Sequence, residues 1–189
     1  EPDEDLIEQY LKKLKKKYND LKIFNFGLSN KNSVSKLYKA FYKKKFFHFN
    51  NSFDKKYIIK KLHDNYGVKS KKFVIKSSML KLKKFDDLKI TEKICFVKID
   101  VEGLDHLVLY GMKKFIKKNY PVFLIEYNYS NFNKIYNFLK KYYECYFYDF
   151  KFNELVKLKK FQITNLKNGK ILESKFKKNS VNIFFIKKS

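Results

Sequence analysis

Apolar and polar positions along the first segment follow a helical period. In "EPDEDLIEQYLKKLKKKYNDL", apolar residues from Leu6 to Tyr18 recur every three to four positions, as on one face of an amphipathic helix. Pro2 suits the first helical turn, the acids at 3–5 complement the positive end of the helix dipole, and lysines crowd the other end. The pattern predicts an N-terminal helix, followed by a short strand, "LKIFNFGLSN", that ends in a turn.

The pattern is least regular in an insert at about residues 31–90. "SVSKLYKAFY" suits a strand or a helix, "HFNNSFDKK" is typical of a loop, and "YIIKKLHDNYG" predicts a short helix that ends at Gly67. "KFVIKSS" and "MLKLKKF" alternate as exposed strands do, so we expect a hairpin. Long inserted segments of this kind often carry substrate contacts.

From Ile94 onward, apolar runs alternate with helical patterns. "ICFVKI" is a nearly continuous apolar run, as in a parallel strand that is buried on both faces. This order of elements is typical of an open α/β sheet with parallel strands, and no linker marks a second domain, so we predict one α/β domain over residues 1–189. The elements predicted after this strand are a helix at 104–118, a strand at 121–127, a helix at 131–143 and strands at 144–150 and 181–188.

Charge and cysteine content narrow the classes of partner. The formal net charge is +25, yet all 44 basic residues are Lys, and the absence of Arg, the side chain that reads guanine and phosphate bidentately, disfavours specific nucleic-acid recognition. No apolar run approaches the roughly 20 residues of a membrane span, and no signal peptide opens the sequence. We therefore expect a cytoplasmic protein with, at most, peripheral contact with anionic surfaces.

Cys95 and Cys145 lie in apolar runs, so we expect buried free thiols, and no metal-ligand spacing is present.

Carboxylates follow two neighbouring strands of the predicted sheet. Asp100 and Glu102 come directly after "ICFVKI", and Glu126 ends "PVFLIE". Ligands of open α/β sheets bind outside the carboxyl ends of the strands, so we interpret these three as functional. Asp105 is more simply a helix-start acid, and His106 a residue of the helix surface.

The stretch "FVKIDVEGLDHLVLYGMKKFIKKNYPVFLIEY" resembles the signature of FkbM-type methyltransferases. Lys98, Ile99, Asp100, Glu102, Gly103, Gly111, Pro121 and Glu126 match that pattern, whereas Asp105 stands where the family more often has Glu. "KKFDDL", "NFGLSNKNSVSKLY" and the opening Glu1-Pro2 resemble further segments of the family. The resemblance is specific at 96–126 and loose between 40 and 75.

The resemblance implies a Rossmann-like class I methyltransferase sheet with helices on both faces. It further implies S-adenosylmethionine as cofactor and a hydroxyl of a sugar, polysaccharide or secondary metabolite as acceptor. Glu1 would bind the ribose of the cofactor, and Leu28 and Ser29 would lie beside the adenine. Asp100 would face the reacting methyl and the acceptor as catalytic residue, with Glu102 orienting the acceptor, while Glu126 would contact the substrate.

The family's first strand and glycine-rich loop would precede Glu1, so we expect an N-terminally truncated fold that is poorly active as residues 1–189. Two alternatives remain open at this point. "DVE" resembles the acid-x-acid motif of a metal-dependent glycosyltransferase, and the lysine-rich faces suit a non-enzymatic binder of anionic polymer, whose affinity would fall steeply with salt.

Overall fold

The structure is a computed structural model that describes residues 1–42, 45–67, 72–101, 103–168 and 182–188, with only the backbone described at 45–50. The chain divides into two compact units, Glu1–Lys83 and Lys84–Ser189. The single domain over 1–189 stays a prediction. None of the helices in the described ranges has the length and apolar character that a membrane crossing requires.

Helices and strands occur in both units. The helices are α1 (Glu4–Leu6), α2 (Lys12–Lys17), α3 (Lys55–Tyr66), α4 (Asp105–Gly111), α5 (Lys113–Asn119), α6 (Tyr129–Leu139) and α7 (Lys160–Lys167). The strands are β1 (Gly27–Leu28), β2 (Ser33–Tyr42), β3 (Lys45–Ser52), β4 (Phe73–Lys83), β5 (Phe96–Ile99), β6 (Val122–Glu126), β7 (Tyr143–Asp149), β8 (Glu154–Lys157) and β9 (Asn182–Lys187).

The N-terminal helix is confirmed, but its start and its buried face differ from the prediction. Asp3 is the N-cap, because its side chain accepts a hydrogen bond from the backbone N–H of Asp5 at 3.0 Å, so Pro2 precedes the helix instead of occupying its first turn. A π-helical segment, Ile7–Leu11, joins α1 to α2. Its wider turn shifts the helical phase, and Ile7 is buried whereas Leu14 is 44% exposed.

The first unit is built on a four-stranded sheet with strand order β1-β4-β2-β3. β4 pairs with β1 in parallel and with β2 in antiparallel orientation. Ala40 of β2 packs with Ile58 and Leu62 of α3 in a fully buried cluster. The predicted helix that ends at Gly67 is confirmed, since α3 ends at Tyr66 and Gly67 has a φ of 54°.

Two predictions for the insert are wrong. The segment at 48–56 is not only loop, because β3 includes residues up to Ser52 and pairs with β2. The segment from Phe73 to Lys83 is one strand rather than a hairpin. It contains no Gly or Pro that would turn the chain, so β4 continues without a turn and pairs with β2 along the whole length of β2.

The second unit contains a five-stranded sheet with strand order β5-β6-β9-β7-β8. β5 and β6 are parallel, whereas β9 runs antiparallel between β6 and β7. The α/β fold is confirmed, and the helix predicted at 104–118 is present but divided between α4 and α5. Hydrophobic periodicity predicted neither the direction of β9 nor the presence of β8 and α7.

The predicted burial of β5 on both faces is wrong. Among the described strands β5 has β6 as its one neighbour, and of its four residues Ile99 alone is buried, while Phe96 is 49% exposed. Cys95, just before this strand, is exposed, so the expected buried thiol is confirmed at Cys145 and wrong at Cys95. The better buried strand is β6, where Phe123 and Ile125 are almost inaccessible to solvent.

Candidate active site

Two carboxylates lie at the carboxyl ends of the neighbouring parallel strands β5 and β6. Ile99 pairs with Ile125 in the strand register, so the next residues, Asp100 and Glu126, emerge at the same edge of the sheet. Adjacent strands are about 4.8 Å apart. The structure therefore brings these two predicted site residues to one rim of the second unit, and their roles stay predictions. Glu102 falls outside the described residues.

The Asp100 carboxylate is exposed and paired with a neighbouring lysine. Lys98 Nζ lies 2.9 Å from Asp100 Oδ2, and the two side chains are 54% and 44% exposed. An exposed ion pair of this kind contributes at most about 1 kcal/mol to stability. Asp100 is consequently accessible to a ligand, and a cation stands beside it.

The turn after β5 is closed by backbone hydrogen bonds. The N–H of Leu104 donates to the carbonyl of Val101 at 3.2 Å. Gly103 has a φ of 90°, a conformation that side chains other than hydrogen rarely tolerate. A Cβ at this position would also lie 3.2 Å from Asn128 Nδ2. The backbone conformation therefore favours glycine strongly, and the close approach of Asn128 leaves little room for a side chain.

Asp105 is buried beneath this turn rather than lying on the helix surface. It is in the first turn of α4, as predicted, but it is only 2% exposed. Its Oδ1 accepts a hydrogen bond from the backbone N–H of Val101 at 3.3 Å, and its Oδ2 accepts one from Asn131 Nδ2 at 2.9 Å. Burial raises the pKa of Asp105, and the hydrogen bond from Asn131 opposes that rise.

His106 does not lie on the helix surface as predicted. It is 9% exposed, its ring packs edge-on against Tyr110, and its Nδ1 has no hydrogen-bond partner among the described residues. Burial lowers the pKa of His106, and the positive charge of Lys134 lowers it further. The neutral ring is therefore favoured. His106 belongs to the buried face of α4 and adds no positive charge near the turn.

The predicted cofactor-binding residues lie in the first unit. Glu1 is exposed, and its Oε1 accepts a hydrogen bond from the backbone N–H of Asp3 at 2.8 Å. Leu28 belongs to β1, and the following Ser29 is buried, with its N–H bonded to the carbonyl of Lys83 at 2.9 Å. A Cβ on Gly27 would lie 3.6 Å from Pro2 Cγ, so the Glu1-Pro2 segment packs beside β1.

A buried ion pair, which sequence reasoning missed, supports the segment that carries Glu1. Lys39 Nζ from β2 contacts Asp3 Oδ1 and lies 2.9 Å from Asp5 Oδ2, while Asn51 Nδ2 donates to Asp3 Oδ2 at 3.1 Å. Burial lowers the pKa of Lys39, but its hydrogen bonds to the two carboxylates and their negative charges together outweigh this effect, so the pKa is raised. The pair fixes the start of α1 against the sheet.

Comparison with known proteins identifies the family. A family model described as the methyltransferase FkbM domain matches residues 1–148. The chain belongs to the FkbM methyltransferase family. The crystal structure of the methyltransferase FkbM from Methylobacillus flagellatus KT overlays 98% of this chain with a TM-score of 0.52 at 13% sequence identity. No curated protein matches the chain.

The structural neighbour bears on the fold alone, because its sequence identity is low. The chain spans 35% of the length of that FkbM protein. The resemblance that residues 96–126 showed in the sequence is thus confirmed by a match that extends from Glu1 into β7. Membership of a methyltransferase family gives no support to the glycosyltransferase alternative.

Proposed function

We propose that this FkbM domain uses S-adenosylmethionine to methylate a hydroxyl group of a sugar, polysaccharide or secondary metabolite. The observation that carries the proposal is the pair of carboxylates, Asp100 and Glu126, at adjacent strand ends in a chain of this family. S-adenosylmethionine, when bound, supplies an electrophilic methyl group on a sulfonium. The chain then has to bind the donor, orient the hydroxyl and receive its proton.

The residues of the first unit fit the adenosine part of the cofactor. Glu1 presents an exposed carboxylate that the backbone N–H of Asp3 holds in place, and a carboxylate can accept hydrogen bonds from both ribose hydroxyls. Leu28 is partly exposed and Ser29 is buried beside it, and we assign both to the adenine side of the site. This fit supports the assignment of Glu1, Leu28 and Ser29 to cofactor binding.

Asp100 is assigned to the acceptor. Its exposed carboxylate would accept a hydrogen bond from the acceptor hydroxyl, which would hold the hydroxyl oxygen in position, and it would take up the hydroxyl proton that the methyl group replaces. Positioning the reacting atoms within about 3–3.5 Å supplies most of the acceleration, and proton transfer typically adds 10²–10⁴-fold. Lys98 balances the charge of Asp100 between turnovers, while Glu102 and Glu126 orient the acceptor.

Methyl transfer by Asp100→Asn tests the assignment. The variant keeps the shape of the side chain but cannot accept the proton, so we expect transfer from methyl-labelled S-adenosylmethionine to a panel of monosaccharides to fall by about 10²-fold or more. Asp20→Asn removes another exposed carboxylate and serves as the control. Measurement at saturating cofactor separates this step from donor binding.

Cofactor binding is tested separately with Glu1→Gln in a calorimetric titration with S-adenosylmethionine. We expect weaker binding by Glu1→Gln and unchanged binding by Asp100→Asn. Full transfer by Asp100→Asn would refute the proposed role of that residue. Binding of anionic polymer that falls with salt and ignores Asp100, without any methyl transfer, would favour the lysine-rich binder instead.

A further inference from the structure

We propose that the buried pair Asp105–Asn131 is a positioning device that holds the turn carrying Asp100 in its productive conformation. The proposal rests on the function proposed above for Asp100. The device is the carboxylate at the start of α4 together with the amide at the start of α6. It acts through the backbone of the turn rather than through contact with the acceptor.

The geometry of the carboxylate supports this inference. Asp105 uses Oδ1 for the backbone N–H of Val101, the residue directly after Asp100, and Oδ2 for Asn131 Nδ2. Its carboxylate therefore joins the turn to α6. Asp105 and Asn131 are 2% and 1% exposed, so solvent offers little competition for these two hydrogen bonds.

The start of α6 supports the turn at a second point. Asn128 is the N-cap of α6, and its Oδ1 accepts hydrogen bonds from Ser130 N at 3.0 Å and from Ser130 Oγ at 2.7 Å. This fixes the side chain whose Nδ2 lies against Gly103. The turn is thus held by Asn131 through Asp105 and by Asn128 at Gly103, and both supports come from one helix.

A positioning role has a cost that a purely stabilising role would avoid. Burial disfavours the charged form of Asp105 and raises its pKa, and an apolar side chain at this buried site would escape that penalty. Asn131 Oδ1 is also buried without a hydrogen-bond partner among the described residues. The core thus keeps a carboxylate despite its desolvation cost and an amide oxygen without a described partner, as expected if the pair serves the geometry of the turn.

The amide of Asn131 allows a sharp test, because it can reverse. In Asp105→Asn, the new amide oxygen accepts from Val101 N–H, and the new NH₂ donates to Asn131 Oδ1 after rotation of the Asn131 side chain. Both hydrogen bonds survive without the charge. Asp105→Leu retains a similar volume but loses both bonds. His106→Leu is the matched control, since it removes a neighbouring buried polar side chain of α4 that has no described bond to the turn.

Two-dimensional NMR of the whole chain measures both effects. Hydrogen exchange at the Val101 amide reports the hydrogen bond to Asp105, and the ¹³C shift of the Asp100 carboxyl reports the position of that side chain. For Asp105→Leu we expect Val101 to exchange about tenfold faster or more and the Asp100 signal to move, while the amides of β6 keep their protection. Asp105→Asn and His106→Leu should leave both signals near those of the parent. Unchanged Val101 and Asp100 signals in Asp105→Leu would overturn the proposal.

The Asn131→Asp variant provides a second, pH-dependent test. It places a carboxylate against Asp105 in a buried site, where two such groups share one proton. The shared proton replaces the hydrogen bond of the Asn131 amide, so we expect the Val101 amide of this variant to stay protected while the pair holds the proton and to lose protection, relative to the parent chain, as the pH rises and the proton is lost. An absence of this pH dependence also counts against the proposal. None of these NMR readouts requires methyl transfer, so they separate a failure of the positioning role from a failure of the proposed function.

Discussion

The buried ion pair of the first unit predicts a large loss of stability when Lys39 is replaced by Met. The side chain of Lys39 is 7% exposed and that of Asp3 is 1% exposed, whereas Asp5, the second partner, is 53% exposed. Lys39→Met preserves the length and apolar stem of the side chain but removes the ammonium. The exposed carboxylate of Asp5 regains water, so the penalty arises almost entirely at Asp3.

The expected magnitude follows from leaving one buried charge without its partner. Breaking such a pair typically costs 3–5 kcal/mol. Asp3 keeps two neutral donors, Asn51 Nδ2 at 3.1 Å and the backbone N–H of Asp5 at 3.0 Å, so we expect the lower end, about 3 kcal/mol, or about a 150-fold shift in the unfolding equilibrium. Because whole domains are stable by only 5–15 kcal/mol, this loss of stability should be readily measurable.

The pH dependence of the same pair follows from the direction of the Lys39 pKa shift. The pKa is raised above its ordinary value of 10.5 in the folded chain. Its contribution to stability is therefore fully present at neutral pH, below the unfolded pKa, and is lost as the pH rises through the folded pKa. Lys39→Met should show a smaller loss of stability than the parent chain in that alkaline range.

Urea unfolding followed by far-ultraviolet circular dichroism measures this difference, since the chain has no Trp to report by fluorescence. Lys36→Met makes the same chemical change at an exposed position of β2, where we expect a change within about 0.5 kcal/mol. Adding Asp3→Asn to Lys39→Met removes the unpaired charge and should recover part of the loss. If Lys39→Met is no less stable than Lys36→Met, the reasoning about the buried pair is wrong.

Two further predictions concern thiol reactivity and the turn after β5. Burial raises the pKa of the Cys145 thiol to about 12, so iodoacetamide should modify only the exposed Cys95 in the native chain and both thiols in denaturant, as counted by mass spectrometry. Gly103→Ala places a Cβ at a φ of 90° and 3.2 Å from Asn128 Nδ2; the backbone strain alone costs about 1–3 kcal/mol, so thermal unfolding should show a clearly destabilised variant. Asn128→Ser keeps an N-cap oxygen but removes Nδ2, so combining it with Gly103→Ala should recover part of the loss; no recovery would contradict the packing argument.

The elements with the strongest periodicity could be predicted from the sequence. β6 and α6 were predictable because apolar residues alternate or recur without interruption over their whole length, and burial of Phe123, Ile125 and Ile135 satisfies that pattern. The position of a strand at the edge of a sheet could not be predicted in this way. β5 has an apolar sequence but one described neighbour, and no local pattern reveals how many strands flank another. The direction of β9 is likewise set by long-range pairing.

The carboxylates of the candidate site were predictable for a related reason. Asp100 and Glu126 follow two strands that are parallel and in register, so sequence order and sheet geometry together bring them to one edge. The groups that support them were missed, because each depends on contact between segments that lie far apart in the chain. Asn131 reaches Asp105 across 26 residues, and Lys39 reaches Asp3 across 36.

A signal for both supporting pairs was nevertheless present in the sequence. Lys39 lies between Leu37 and Phe41 on one face of β2, and Asn131 stands one helical turn before the buried Ile135 of α6. In each case a polar side chain lies on the buried face of its strand or helix. Burying such a group without a partner costs several kcal/mol, so a distant partner was to be expected for each: a carboxylate for the lysine and a hydrogen-bonding group for the amide. The chain has 44 lysines and 19 acids, and most of these charges lie on exposed faces. The few polar residues on buried faces are consequently better guides to acids that are held in place by a partner.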